Sequence, residues 1–231
     1  MRDSIPPVNK TPREVSLQYG ESCAEFYDEI YGQVNPNVLS ALIELARGGP
    51  VLELGIGTGR VALALASCGL EISGIEASPA MLSKLSAKPE SSSIRVVQGD
   101  FANTLVENQF QLIIALVNTF FLLPSRLAQK QCLQNCARML LKQGTLLLEC
   151  YKPLGAALSN GNGKLYQVAH VVETSNGPRR YEANLLYREP HELDEMARAA
   201  GLSLKARWST WRKQPFSLGG MAHISLYEHD S

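Results

Sequence analysis

The sequence predicts a single α/β domain built on a doubly wound, mostly parallel seven-stranded sheet. Three observations predict it. Short apolar runs alternate with helix-period segments between residues 50 and 150, a glycine-rich turn joins the first run to its helix, and strand-like runs crowd the last third. The 231 residues suffice for one core without disulfides or metal.

The elements follow in order. Residues 1–18 are polar, carry Pro6, Pro7 and Pro12, and read as a flexible arm or a lid segment, with the domain running over 19–231. Tyr19, Cys23, Phe26, Tyr27 and Ile30 recur at helical spacing, and Val38 to Arg47 forms a second helix closed by Gly48-Gly49. Pro50 to Leu54 is a short buried strand, and Arg60 to Cys68 is a helix stopped by Gly69. Glu71 to Glu76 is a strand, after which Ser78-Pro79 supplies an N-cap and a first-turn proline. Ile94 to Val97 and Phe110 to Val117 are strands. Ser125 to Lys142 is a helix ended by Gly144, and Thr145 to Cys150 is a buried strand. Such alternation implies right-handed crossovers and a sheet covered on both faces. Then Leu165 to Glu173 and Arg180 to Tyr187 flank an Asn-Gly turn, a hairpin inserted at about 163–188. Pro190 to Ala200 is a helix, and Leu202 to Trp211 and Met221 to Tyr227 form a final antiparallel pair.

Composition excludes several functions. The formal net charge is zero and no basic stripe is present, which argues against nucleic acid as partner. The five cysteines form no disulfide or metal framework and read as buried reduced thiols, so no metal is expected. The N-terminus lacks the apolar stretch of a signal peptide. The longest apolar run, FQLIIALVNTFFLL, is shorter than the roughly 20 residues that span a bilayer. The expectation is a cytoplasmic protein without membrane partners, a monomer or a homodimer.

The chemistry concentrates at the ends of the first three strands. In Glu53-Leu54-Gly55-Ile56-Gly57-Thr58-Gly59 the glycines let backbone N–H groups approach a ligand at a helix N-terminus. The spacing is G-x-G-x-G, and Arg60 stands where a dinucleotide fingerprint wants its last glycine. That, with the acidic Glu53, favours a ligand with a zwitterionic amino-acid end over NAD. Glu76 closes the second strand roughly 20 residues on, where a carboxylate reaches ribose hydroxyls. Asp100 follows the third strand, placed to accept from an adenine amino group with Phe101 flanking the ring.

On these segments the chain resembles the class I S-adenosylmethionine-dependent methyltransferases, in particular small-molecule members of the methyltransferase domain 25 kind. VLELGIGTGR is similar to their first motif, GIEASPAML to the second, QGDF to the third, and FQLIIALVNTFFLL and KQGTLLLE to the fourth and fifth strands. The resemblance runs from about Tyr19 to Glu149. It implies a Rossmann-like sheet with an antiparallel final strand and an N-terminal helical lid, and S-adenosyl-L-methionine as cofactor, released as S-adenosyl-L-homocysteine. Carried over, it puts Gly55, Gly57 and Gly59 against the methionine end and ribose, and Glu53 at the amino group. Glu76 would meet the ribose, Met81, Asp100 and Phe101 the adenine, and Leu116 the cofactor through its backbone. Tyr19, Tyr27 and Tyr31 match the tyrosines of a closing lid. Asn118-Thr119-Phe120-Phe121 lacks the prolines of nucleic-base methylating relatives.

The expected reaction moves the methyl to an O or N atom of a small molecule, such as a natural-product intermediate. Orientation does most of the work, and a protonated acceptor adds a need for a base. Glu149 and Tyr151 end the fifth strand, and His170, His191 and His223 are the further candidates, with His170 preferred because the hairpin covers the acceptor. Trp208, Trp211 and Phe216 are candidates for an apolar acceptor wall. The alternatives are a dinucleotide oxidoreductase, a non-catalytic cofactor binder, and a protein or peptide methyltransferase.

Overall fold

The structure, a computed structural model, describes residues 12–160, 163–217 and 219–230. Most of the predicted arm, residues 1–11, lies outside these. The element order is α1 (Pro12–Cys23), α2 (Tyr27–Tyr31), α3 (Pro36–Ala46), β1 (Val51–Leu54), α4 (Arg60–Ser67), β2 (Ile72–Glu76), α5 (Pro79–Ser86), β3 (Arg95–Gln98), β4 (Phe110–Ala115), α6 (Arg126–Met139), β5 (Leu140–Tyr151), β6 (Leu158–Asn160), β7 (Gly163–Thr174), β8 (Gly177–Tyr187), α7 (Pro190–Arg198), β9 (Leu202–Trp208) and β10 (Ala222–His229).

The main sheet has seven strands in the order β3-β2-β1-β4-β5-β10-β9. Its strands run parallel except β10, which is antiparallel to both neighbours. The order reverses between β1 and β4, and in such sheets a crevice opens there beyond the strand C-termini. Period-2 alternation divides the core between the faces. Leu52 and Leu54 join α6 and α7 residues such as Leu133 and Leu193 on one face. Val51 joins Leu42 of α3 and Val61 and Leu65 of α4 on the other. Each fully buried Leu or Val contributes on the order of 1.5–3 kcal/mol of transfer free energy.

Caps locate several helices. Ser78 Oγ accepts from the Met81 N–H and Ser125 Oγ from the Ala128 N–H, while Asn35 Oδ1 accepts from the Asn37 N–H. The hairpin is a separate three-stranded sheet, β6-β7-β8, closed by Ser175 and Asn176. Glu29 of α2 accepts from both the backbone N–H and the hydroxyl of Ser175, so lid and hairpin tip are joined.

Four expectations are corrected. The first helix begins at Pro12, within the predicted arm, and the Tyr19–Ile30 pattern is two helices separated by a turn in which the Phe26 N–H donates to the Cys23 carbonyl. Both helices turn their apolar residues onto one cluster with Met81 and Tyr181, which is why the spacing runs through the break. The helix after Ser125 ends at Met139, and Gly144 lies inside β5. A Cβ there would stand 2.8 Å from the Phe110 carbonyl, so this glycine serves strand pairing and not helix termination. β9 ends at Trp208, leaving Trp211 in the following turn. Cys68, at the C-cap of α4, is exposed, whereas the other four cysteines are buried. No helix among the described residues is long and apolar enough to cross a membrane.

Candidate functional site

A cavity of about 340 Å³ lies over the C-terminal ends of β1, β2 and β4, roofed by α1, α2 and the hairpin. Its floor is the turn after β1. Gly55, Gly57 and Gly59 all have positive φ (67°, 58° and 80°), a region open to glycine and costly to side chains. Gly55 and Gly57 line the cavity, and Gly59 does not. A Cβ on Gly59 would stand 2.4 Å from Leu85 Cδ1, so its role is to let α4 pack against α5.

Glu76, at the end of β2, is buried and lines the cavity. Its Oε2 accepts from the Gly57 N–H at 2.9 Å and its Oε1 from the Ser78 N–H at 2.8 Å. Burial nevertheless keeps its carboxyl above the ordinary range. Each oxygen retains a lone pair for a ligand hydroxyl. Asp100 and Phe101 line the same end, and Asp100 Oδ1 accepts from the Ala102 N–H at 2.8 Å. Met81 and Leu116 complete that wall.

Glu53 and Arg60 line the same cavity. Glu53 is buried, its Oε2 has no hydrogen-bond partner among the described residues, and burial pushes its carboxyl up to about 8. Arg60 also lines the cavity, with its Nε buried and unpartnered among the described residues and its guanidinium 5.8 Å from the Tyr31 ring centre. A carboxyl oxygen and an arginine Nε left short of partners in one cavity fit an ammonium and a carboxylate, the two poles of an amino acid. Arg60 entered the sequence argument as an obstacle to NAD. Its position as first residue of α4, pointing back to the loop, was the available signal.

The lid closes the third side. Tyr19, Tyr27 and Tyr31 line the cavity together with Tyr181 of β8, and the Tyr31 hydroxyl lies 3.4 Å from that of Tyr19 and 3.3 Å from that of Tyr181. Burial raises the phenols of Tyr19, Tyr27 and Tyr181, so they stand protonated. Lid carboxylates hold the roof down. Thr58 Oγ1 donates to Asp28 at 2.5 Å, Lys88 Nζ pairs with Asp28 at 2.6 Å, and Ser78 Oγ donates to Glu21 at 2.7 Å.

The catalytic candidates separate. His170 lies at the cavity rim, stacked on Tyr181 with ring centres 4.9 Å apart, and Tyr151 also lines the cavity. Glu149 does not line it. Its Oε1 accepts from the Tyr151 hydroxyl at 2.7 Å and from Trp211 Nε1 at 2.6 Å, and its Oε2 accepts from the Val117 N–H at 3.0 Å. Three donors thus engage the Glu149 carboxylate, and Tyr151, raised by burial and then by the Glu149 charge, holds its proton. His191 is exposed and off the cavity, and buried His223 meets Ser225 Oγ at 2.8 Å. Trp208, Trp211 and Phe216 do not line the cavity. Trp211 lines a second cavity, which Glu149 also lines. The cavity is also lined by Val117, Asn118, Thr119, Leu122, Leu123 and Leu185, none of which the sequence singled out as a site residue.

Residues 51–144 match the family model of a methyltransferase domain. The chain is similar to a cypemycin N-terminal methyltransferase from Streptomyces sp, at 30% identity over 150 residues covering 63% of this chain and 61% of that protein, so the match spans less than two thirds of that relative. Among solved structures it is similar to the CcbJ methyltransferase from Streptomyces caelestis, with a TM-score of 0.79, 30% identity, and coverage of 94% of this chain and 99% of that one. A glycopeptide N-methyltransferase, MtfA, complexed with S-adenosylmethionine shares the fold at 16% identity and a TM-score of 0.65, covering 89% of this chain and 91% of that one. Agreement with CcbJ over nearly the whole of both chains joins the motif match at the glycine turn, and the chain therefore belongs to the class I S-adenosylmethionine-dependent methyltransferases.

Proposed function

We propose that the chain methylates a nitrogen or oxygen atom of a small molecule, and that an amine nitrogen is the acceptor this site suits best. The observation that carries the preference is the engagement of Glu149. The acidic side chain at the end of β5 is held by three donors, and the tyrosines facing the acceptor side keep their protons. A hydroxyl acceptor needs a base to remove its proton, whereas the neutral fraction of an amine already carries a free lone pair.

The residues present fit S-adenosylmethionine. Glu53 and Arg60 would hold its amino-acid end, Glu76 its ribose hydroxyls, and Asp100, Phe101 and Met81 its adenine. When bound, the cofactor supplies a methyl on a sulfonium, an already activated leaving group. His170 at the rim, or solvent, would take the proton that an amine acceptor sheds once methylated. The chain orients the acceptor against the methyl, and α1, α2 and the hairpin exclude water from the reacting atoms.

The relative from Streptomyces sp is named as an N-terminal methyltransferase of cypemycin, which supports an amine acceptor and motivates the second reading, a short peptide. Transfer of labelled methyl to amino sugars, short peptides, phenols and carboxylates tests both. Label on amino sugars supports the first reading and label on peptides the second. Label on phenols alone overturns the amine preference. Binding of S-adenosylhomocysteine with no transfer to any class indicates a non-catalytic binder.

A further inference from the structure

Two residues beyond the end of β4, Val117 has φ +48°, and Asn118 has φ +63°. A β-branched residue in the left-handed region is a steric outlier, and it persists only where its surroundings over-determine it. Here they do. The Val117 N–H donates to Glu149 Oε2 at 3.0 Å, the Asn118 N–H to the Glu149 carbonyl at 3.1 Å, and the Tyr151 N–H to Asn118 Oδ1 at 2.6 Å. Trp211 and the Tyr151 hydroxyl fix the other carboxylate oxygen of Glu149.

The carbonyls on either side of Val117 are occupied. That of Leu116 accepts from the Thr119 N–H at 3.0 Å and the Thr119 hydroxyl at 2.7 Å, and that of Asn118 accepts from the Phe121 N–H at 2.8 Å. The Val117 carbonyl has no partner among the described residues, and Val117 lines the cavity.

We propose that this strained turn presents the Val117 carbonyl oxygen to an N–H of the amine acceptor, and that Glu149 is the positioning residue that holds the turn. The proposal rests on the methyl-transfer reading above. An amine attacking as a neutral group keeps an N–H, and an oxygen that accepts it aims the lone pair at the methyl. As the new bond forms, the nitrogen becomes positive and its N–H becomes a stronger donor, so the contact favours the transition state over the ground state. This explains a buried carboxylate that lies next to the cavity yet does not line it.

The test uses two probes on the full chain: S-adenosylhomocysteine, and sinefungin, an analogue with an amine at the place of the methyl-bearing sulfonium. Calorimetry gives the ratio of their affinities for the wild type, Glu149→Gln, Val117→Gly and the double variant. Glutamine keeps the shape but offers one acceptor oxygen to three donors. The expected result is that Glu149→Gln weakens sinefungin about tenfold, one lost hydrogen bond, while S-adenosylhomocysteine changes less than about twofold. Adding Val117→Gly, which holds a positive φ without help, restores most of the ratio. An unchanged ratio, equal weakening of both probes, or no rescue by glycine overturns the proposal. Should Glu149→Gln fail to fold, Asn118→Ala removes the second pin, and an unchanged ratio there overturns it equally. A wild type that binds neither probe overturns the methyl-transfer reading itself.

Discussion

Glu76 accepts the backbone N–H of Gly57 at 2.9 Å, so the carboxylate at the end of β2 is oriented by the turn after β1. Its second oxygen accepts from the Ser78 N–H, and Glu76 lines the cavity with acceptor capacity to spare. Glu76→Gln sets an amide NH₂ against one of these donors and removes an acceptor from a buried site. Calorimetry is expected to show S-adenosylhomocysteine binding about ten- to a hundredfold weaker, the equivalent of roughly 1.5–3 kcal/mol for a charged hydrogen bond. Binding at wild-type strength would remove Glu76 from the ribose site.

The Glu53 carboxyl, raised by burial to about 8, links binding to pH. Without ligand it is protonated below that value, and an ammonium beside it favours the charged form. Binding of S-adenosylhomocysteine therefore releases a proton below pH 8, and affinity rises with pH toward that value before levelling. The sign for folding is opposite. A carboxyl with a raised folded-state pKa contributes stability present at low pH and lost as pH rises through about 8, so the ligand-free protein loses stability over that window. Calorimetry in buffers of different ionisation enthalpy reads the released proton. Proton uptake, or a flat pH profile, would reject the assignment.

Arg60 offers a separate handle on the same end of the cavity. Arg60→Leu removes the cation but keeps most of the apolar stem. S-adenosylhomocysteine is expected to weaken about tenfold or more, while 5′-methylthioadenosine, which has no carboxylate, is expected to bind as before. Equal loss for both would place Arg60 in packing against Tyr31.

Gly59 distinguishes structure from binding. With φ at 80° and Leu85 Cδ1 2.4 Å from a new Cβ, Gly59→Ala is expected to cost about 1–3 kcal/mol of stability. At about 2–4 °C per kcal/mol for a chain of this size, the melting temperature falls by several degrees. Below the transition its affinity for S-adenosylhomocysteine stays near wild type, because Gly59 does not line the cavity. A large affinity loss in well-folded protein would return this glycine to the ligand site.

Much of this was legible in the residues themselves. The alternation of short apolar runs with helical periods located β1, α4, β2, α5 and β4 to within a few residues. Ser78-Pro79 marked the start of α5, and Asn176-Gly177 marked the hairpin turn. These signals are local, arising from side-chain period, caps and turn residues. Boundaries failed where pairing competed with helical period. Leu140 and Leu141 continue the apolar spacing of α6, yet Leu140 pairs with Phe110 and begins β5.

The sequence by itself determined the sheet, the glycine turn and the carboxylates Glu53, Glu76 and Asp100 near its strand ends, because parallel strands joined by right-handed crossovers bring those ends together at the switch point. Only the tertiary structure decided what each side chain does there. Glu149 meets Trp211 across 62 residues and Tyr31 meets Tyr181 across 150, and no local period carries such pairings. Burial and partners then set the chemistry. Glu149 is engaged by three donors, Gly59 packs against Leu85, and Arg60 and Glu53 share one cavity with polar atoms left unpartnered among the described residues, because a buried polar atom takes its role from the donors and acceptors that long-range packing leaves within reach.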